Sequence, residues 1–549
     1  MASSAPRSDG ERERNAVPRI TVDGTELEVE EGRTILQALD DLGLLMNGVD
    51  VPHYCWHPKL SIDGSCRLCQ VEVEGLPKLQ IACNTPVQDG MVVSTESEKV
   101  KRAREGVMEL LLVNHPLDCP ICDQAGECKL QDYAFEYGME HARSREPRRA
   151  AKKRVDLGPT VVFDQERCIL CRRCVRFCDE VPGTGELAVF ARGDHSVIET
   201  FPEMPLDNDY SMNVADICPV GALTTKDFRF KIRVWFLDEV PGVCTGCSKG
   251  CNVHIGVASN KAYRYVPRRN DAVNETWLCD AGRMSYKRIG ADDRIRKAAV
   301  RSESGVLEER SFDEGIGAAA ARLRRVIDTK GPGAVGALAS PHATNEDLVT
   351  LLQLLSSIGT SQSGCAVVRG SRDALLIQEE KAANAAGAQA LGFADAAPLL
   401  EHMRGGVVEA LIVMGQDALD PAYLGGVADL RELDTVIYLD THRSAIEGVA
   451  HVVIPTRHLA EKHGTLTNHQ RRVQRVEPAV EPSFDARPDG EVLWQLGAAL
   501  GLEGFVGSWD LRAASKALAS VNAGFTGLDL DSIGAAGAPM RTARDGAGD

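Results

Sequence analysis

At 549 residues the chain is too long for one compact core, and about three to five domains are expected. Its 44% hydrophobic and 26% charged residues fit a globular protein, while a net charge of −17 argues against non-specific nucleic-acid binding. No uninterrupted apolar run approaches the roughly 20 residues that cross a bilayer, so no membrane span is expected.

Residues 1–17, MASSAPRSDGERERNAV, lack the apolar stretch of a signal peptide, and Asp9, Glu11 and Glu13 argue against an acid-poor transit peptide. They read as a disordered lead-in to a cytosolic protein. Over 18–97, Ile20 to Val29 alternates apolar and polar residues around Asp23-Gly24, a hairpin signal. Thr34 to Leu45 carries Ile35, Leu39, Leu42 and Leu45 at helical spacing, and Gln70 to Glu74 alternates again. Hairpin, helix and later strand suit a β-grasp domain. It holds Cys55, Cys66, Cys69 and Cys83, a wider-gap version of the plant-type ferredoxin spacing, which predicts a [2Fe–2S] site with zinc as the rival.

Over 98–140, Glu98 to Val113 reads as an amphipathic helix opened by Ser97. His115 follows, then Cys119, Cys122 and Cys128. Three cysteines leave one iron of a [4Fe–4S] cluster unligated, and His115 stands where it could fill that place. Residues 141–154, HARSREPRRAAKKR, form a basic run, either a solvated linker or a docking strip for an acidic partner.

Over 155–236, Cys168, Cys171 and Cys174 make the Cys-x2-Cys-x2-Cys run of ferredoxins, and Cys218-Pro219 supplies the remote fourth ligand of a [4Fe–4S] site. Cys178 has no second run to serve and reads as a buried thiol. Over 237–293, Cys244, Cys247, Cys251 and Cys279 form a further [4Fe–4S] set. A zinc ribbon would instead close on a second Cys-x2-Cys. From 294 to 534 cysteine nearly vanishes, and short apolar runs at Ala334–Leu338, Ala410–Met414, Thr435–Leu439 and His451–Ile454 alternate with predicted helices. That pattern indicates an α/β domain with a mainly parallel sheet. Residues 535–549 read as a disordered tail.

Of 17 cysteines, 16 lie from Cys55 to Cys279, leaving only Cys365 beyond. Tight Cys-x2-Cys groups in a large cytosolic chain indicate metal rather than disulfides. Setting Cys178 aside and adding His115 gives 16 ligands, enough for one [2Fe–2S] and three [4Fe–4S] clusters. The rival assignment exchanges His115 for Cys178.

Together these residues resemble the large iron–sulfur subunit of bacterial respiratory complex I, the NADH:quinone oxidoreductase, strongly over 18–290 and weakly over 294–480. The resemblance implies that the first three sets form part of a wire from FMN toward quinone, and that the fourth holds an off-path cluster. After the cysteine domains, Ala450-His-Val-Val-Ile-Pro455 and Glu461-Lys-His-Gly-Thr-Leu-Thr-Asn468 look like the molybdopterin oxidoreductase fold. Such enzymes carry a Lys two residues after the last cluster Cys, where this chain has Ala281. Their metal-ligating residue falls at Arg369, with Cys365 out of register. No molybdopterin is therefore expected.

The expectation is a multidomain α+β then α/β chain, an electron-transfer subunit with no catalytic site of its own. No G-x-G-x-x-G fingerprint follows a strand, so NADH and FMN would sit on a partner subunit. The resemblance places such a protein peripherally on the cytoplasmic side of the bacterial inner membrane, touching the membrane only through its partners. The rivals are the iron–sulfur/molybdopterin subunit of an NAD-linked formate dehydrogenase or an NAD-reducing hydrogenase, and a structural zinc protein.

Overall fold

The computed structural model describes residues 17–45 and 49–541. The predicted lead-in therefore lies outside the described residues except for Val17, as does the tail beyond 541. The chain divides into two compact units. One runs through Asn208 and includes Val214–Phe230, and the other joins Asp209–Asn213 to the chain from Lys231 onward.

The first unit opens with a five-stranded sheet in the order Thr25–Glu28, Arg19–Val22, Met91–Ser94, Gln70–Val73, Gln80–Ile81. The predicted hairpin is present, with Asp23 and Gly24 both at positive φ as a tight right-twisted turn requires. The helix Ile35–Asp41 is capped by Thr34 in a reciprocal box with Gln37 and buries Ile35, Leu36 and Leu39 against Ile20, Val71 and Val93. It stops four residues before the predicted Leu45, because Leu42 caps it and Gly43 turns left-handed. This is the β-grasp arrangement that the alternation indicated.

The helix Glu98–Asn114 begins at the predicted cap Ser97 and buries Arg104 together with Val100 and Met108. The two terminal nitrogens of Arg104 donate to Tyr137 Oη at 2.9 Å and to the Gln70 carbonyl at 3.3 Å. The basic stretch 141–154 has no regular structure but is pinned locally: Arg143 pairs with Glu109, and Lys153 with Asp118 and Glu166. Beyond it come a three-stranded antiparallel sheet (Val155–Asp156, Val161–Phe163, Leu223–Thr225), the helix Arg173–Glu180 and a hairpin of Leu187–Phe190 with Val197–Thr200.

The second unit opens with the antiparallel strands Asp238–Val243, Asn252–Ala258 and Lys261–Pro267, followed by the short helix Asp280–Met284. Its main sheet has seven strands. Five are parallel, in the order Val452–Pro455, Thr435–Asp440, Ala410–Met414, Val335–Ala339, Ser363–Cys365. Each predicted run is a strand, within one residue at either end. Both faces are covered, which is why the runs are continuously apolar. Ile412, Ile437 and Val452 pack with the helices Phe312–Lys330, Asn345–Ile358 and Asp489–Ala499. Leu411, Val413 and Val436 pack with Ala397–Arg404 on the other face. Residues 538–541 depart from the expected disordered tail. Ala538 pairs with Val473, Met540 is buried and its N–H bonds the Arg471 carbonyl. A strand edge binds backbone, so an Ala/Gly-rich stretch can be ordered there with Met540 as its buried apolar anchor. Among the described residues no helix is long and apolar enough to cross a membrane.

Candidate metal centres

All 17 cysteines are free thiols. In the first set, Cys55 comes from a loop, Cys66 and Cys69 bracket a turn in which Arg67 is left-handed, Gly64 just before it is left-handed too, and Cys83 follows the strand Gln80–Ile81. Cys55 shares hydrogen bonds with Cys66 and Cys83, and Cys69 with Cys83, so the four thiols form one contiguous group. Those bonds, with N–H groups of Cys66 and Ser65, hold the Cys55 thiol well below its ordinary value. Cys83 is pushed up by its hydrogen bonds to Cys55 and Cys69 and then by burial.

The second set is built where one helix ends and the next begins. His115 caps Glu98–Asn114 in an extended conformation, Cys119 opens a 3-10 turn, and Cys128 precedes the helix Lys129–Tyr137. The charges of Cys119, Cys122 and Cys128 act on one another. Burial and then the Arg167 guanidinium push His115 down to about 4, leaving a neutral imidazole, the form that binds metal. Arg167 also acts on Cys122, so His115 and the cysteines share one cation.

In the third set Leu170 and Arg172 adopt left-handed conformations, which coil the Cys-x2-Cys-x2-Cys run tightly. Leu170 N–H donates to Cys168 Sγ at 3.4 Å, and N–H groups of Val220, Leu223 and Ala222 point at Cys218. Burial, then the neighbouring Cys171, Cys168 and Cys218, raise Cys174 strongly. Cys178 lies one turn further along the helix, fully buried, with a hydrogen bond to Glu186 and the Leu187 N–H as its own partners.

In the fourth set Cys244 follows the strand Asp238–Val243 and donates its N–H to the Cys251 carbonyl at 2.8 Å, while Cys279 caps the helix Asp280–Met284. Gly282 N–H donates to Cys279 Sγ at 3.3 Å. Burial and the neighbouring Cys279 push Cys244 up to about 12.

These residues fit iron–sulfur clusters. Soft thiols gather in four groups, each with at least one buried member, although Cys119 is exposed, and burial raises thiols that a bound cation would hold ionised. Two glycines leave room at sulfur. A Cβ on Gly221 would overlap Cys122 Sγ, and one on Gly282 would lie 2.9 Å from Cys244 Sγ and 3.1 Å from Cys279 Sγ. Arg173 Nε and Arg176 Nε, at the first and third sets, are buried without a protein acceptor among the described residues. Among those residues no three His, Cys, Asp or Glu side chains close on one point as ligands of a single ion would. Ligands of a cluster are divided among several irons.

The sets of the first unit adjoin one another. Arg173, inside the third run, donates to the Trp56 carbonyl beside Cys55. Pro219 and Gly221, just after Cys218, meet the second set: Cys128 Sγ lies 3.9 Å from the Pro219 carbonyl. Neither arginine nor glycine was singled out in the sequence. The Arg172-Arg173 pair within the ferredoxin run was the available signal.

In the second unit a cleft of about 230 Å³ lies at the carboxyl ends of the parallel strands, where open α/β sheets bind ligands. Its walls include His342, Asp417, Asp440 and His442, and it reaches Thr245 and Ser285 beside the fourth set. Sequence reading missed these histidines, although His442 follows a predicted strand by only three residues. Ala281 and Arg369 are both exposed, Arg369 lying 4.0 Å from Glu379, while Cys365 is buried at the end of its strand.

Five family models match the chain. They are the 2Fe-2S iron-sulfur cluster binding domain over 16–98, the NADH-ubiquinone oxidoreductase-G iron-sulfur binding region over 104–143, the NADH-quinone oxidoreductase subunit 3 ferredoxin-like domain over 158–224, the molybdopterin oxidoreductase Fe4S4 domain over 237–290, and molybdopterin oxidoreductase over 375–499. One 2Fe–2S-binding domain and 4Fe–4S-binding domains are thus present, followed by a molybdopterin-oxidoreductase-like domain. The G-type subunit of the NADH-quinone oxidoreductase of Rickettsia conorii is 41% identical over 62% of this chain and 49% of its own length. The mitochondrial NADH-ubiquinone oxidoreductase 78 kDa subunit of Candida albicans is 38% identical over 66% of this chain and 49% of its own. The chain spans about half the length of these curated relatives. A chain of an NAD+-reducing [NiFe]-hydrogenase is 31% identical with a TM-score of 0.36, covering 40% of this chain and 92% of the other.

Proposed function

The chain belongs to the family of G-type iron–sulfur subunits of NADH-quinone oxidoreductases, and we propose on that premise that it carries electrons from an FMN-bearing partner toward quinone. In this reading its ligands are Cys55, Cys66, Cys69 and Cys83 for one [2Fe–2S] cluster. Three [4Fe–4S] clusters take His115 with Cys119, Cys122 and Cys128; Cys168, Cys171, Cys174 and Cys218; and Cys244, Cys247, Cys251 and Cys279. Such clusters, when bound, take up and release single electrons.

The protein's part is to hold these groups close, dry and correctly charged. The observation that carries the reading is the chain of neighbours in the first unit. Arg173 touches main chain next to Cys55, and Pro219–Gly221, next to Cys218, touches Cys122 and Cys128. The three ligand sets therefore adjoin one another, and Tyr54, next to Cys55, also reaches the Lys129 carbonyl beside Cys128 at 3.4 Å. N–H groups aimed at Cys168, Cys218 and Cys279 stabilise the anionic form that metal requires.

The fourth set belongs to the second unit, and the carboxyl-terminal domain is structural, holding no molybdopterin, since Ala281 and Arg369 occupy the positions such an enzyme uses. The partners are other peripheral subunits, including one that binds NADH and FMN, on the cytoplasmic side of a bacterial inner membrane. Adding NADH to the assembled complex under anaerobic conditions tests this reading by low-temperature EPR. The expected result is reduction of clusters assigned to the first three sets within turnover time. Reduction by dithionite alone, with no response to NADH, would contradict it.

A further inference from the structure

We propose that Arg173 couples the first and third cluster sites electrostatically: one guanidinium, anchored to main chain beside a ligand of each set, holds the reduction potentials of both sites up together. The inference rests on the reading of those two sets as cluster ligands. Arg173 lies between Cys171 and Cys174, at the start of the helix Arg173–Glu180. Its Nη1 donates to the Ile217 carbonyl at 3.2 Å, and Ile217 immediately precedes Cys218. Its Nη2 donates to the Trp56 carbonyl, and Trp56 immediately follows Cys55. The two prongs of the fork thus end on backbone adjoining one ligand of each set.

Its charge acts on Cys171 and Cys218 on one side and on Cys66 and Cys55 on the other. Nε, the remaining donor, is buried and meets no protein acceptor among the described residues, so its N–H is available to sulfur. The neighbouring arginines keep this geometry closed. Arg172 pairs with Asp63, and Arg176 donates to the carbonyls of Ser61 and Cys55. Arginine stays protonated throughout the accessible pH range, and its planar fork cannot turn away without breaking both carbonyl bonds. Adding an electron to an anionic centre is easier beside a fixed cation, and the interaction is strong where water is excluded. A cation shared by two sites favours reduction of both.

The plainer alternative is a strut that only packs helix against loop. Potentials distinguish the two. In EPR-monitored redox titration of the assembled complex, R173Q should lower the midpoints of the first-set and third-set clusters together. The second-set cluster should keep its value. R173K, which keeps the charge but not the fork, should hold both near wild type. R173Q with both potentials unchanged, or with only one moved, would overturn the proposal. If R173Q does not retain its clusters, R173K decides: wild-type potentials in both sites support it, and two lowered potentials overturn it. A wild-type protein with no signal from either set would overturn the underlying reading instead, before any variant is measured.

Discussion

In the proposed assignment, His115 places a neutral imidazole where each other four-iron set would have a thiolate. Burial and Arg167 keep it uncharged, so the cluster it joins carries one fewer negative charge and is easier to reduce. His115→Cys should keep that cluster while lowering its midpoint potential. Cys178→Ala should leave all four clusters in place, because Cys178 has Glu186 as its partner. Loss of a four-iron EPR signal in Cys178→Ala, with His115→Ala silent, would reverse the assignment. Gly282 makes a second residue-scale test. Its missing Cβ is what lets the short helix lie against Cys244 and Cys279, so Gly282→Ala should remove the fourth cluster and spare the other three, read as about four fewer irons per chain. The candidate ligands could be proposed from sequence because metal chemistry constrains their spacing along the chain. Gly221 and Gly282 could not, since the need for glycine arises from sulfur atoms that approach only in the fold.

Among the elements, the parallel strands were readable from continuous apolar runs such as Ala410–Met414, because a strand covered on both faces shows no polar positions. The helix Asn345–Ile358 was harder to place, because it buries Asn345, Glu346 and Asp347 in its first turn. Each has a partner in the stretch Glu461–Asn468. Glu346 accepts from Thr465 N–H at 2.8 Å and from Ser515, while Asp347 and Asp489 flank the buried Lys462. The segment that carries the molybdopterin-enzyme likeness is therefore a structural knot here. Burial opposes the charge on Lys462, but Asp347 and Asp489 outweigh it and hold the amine protonated. Lys462→Met would leave two buried carboxylates facing each other and should cost about 3–5 kcal/mol in denaturant unfolding.

Glu346 gives the same helix a pH dependence. Burial raises its carboxyl from 4.5 to about 7. Because the folded-state value lies above the unfolded one, its contribution is fully present below about 4.5 and is lost as pH rises through about 7. At about 1.4 kcal/mol per pH unit the loss is about 3 kcal/mol. Glu346→Gln, which can still accept from Thr465 N–H, should flatten that part of the stability curve and be more stable than wild type at pH 8. An unchanged slope between pH 5 and 8 would show that Glu346 does not titrate there.

On the scale of the whole molecule, the division of labour follows from where the thiols are. The first unit gathers three sets, while the second carries one set and a large α/β sheet whose core needs no cofactor to close. Cysteine placement revealed the order of sets along the chain. It could not reveal their adjacency in space, because Cys218 joins a run 44 residues before it and brings Pro219–Gly221 onto the second set as it does so. The account stands or falls on the identity and number of the bound groups. The direct measurement is iron, acid-labile sulfide, zinc and molybdenum per chain in anaerobically prepared protein, with low-temperature EPR of the reduced sample. The account predicts about fourteen irons, matching sulfide, one two-iron and three four-iron signals, and neither zinc nor molybdenum in stoichiometric amount. Stoichiometric zinc at the thiol sets, or a reproducible value of about ten irons with one four-iron signal absent, would contradict it.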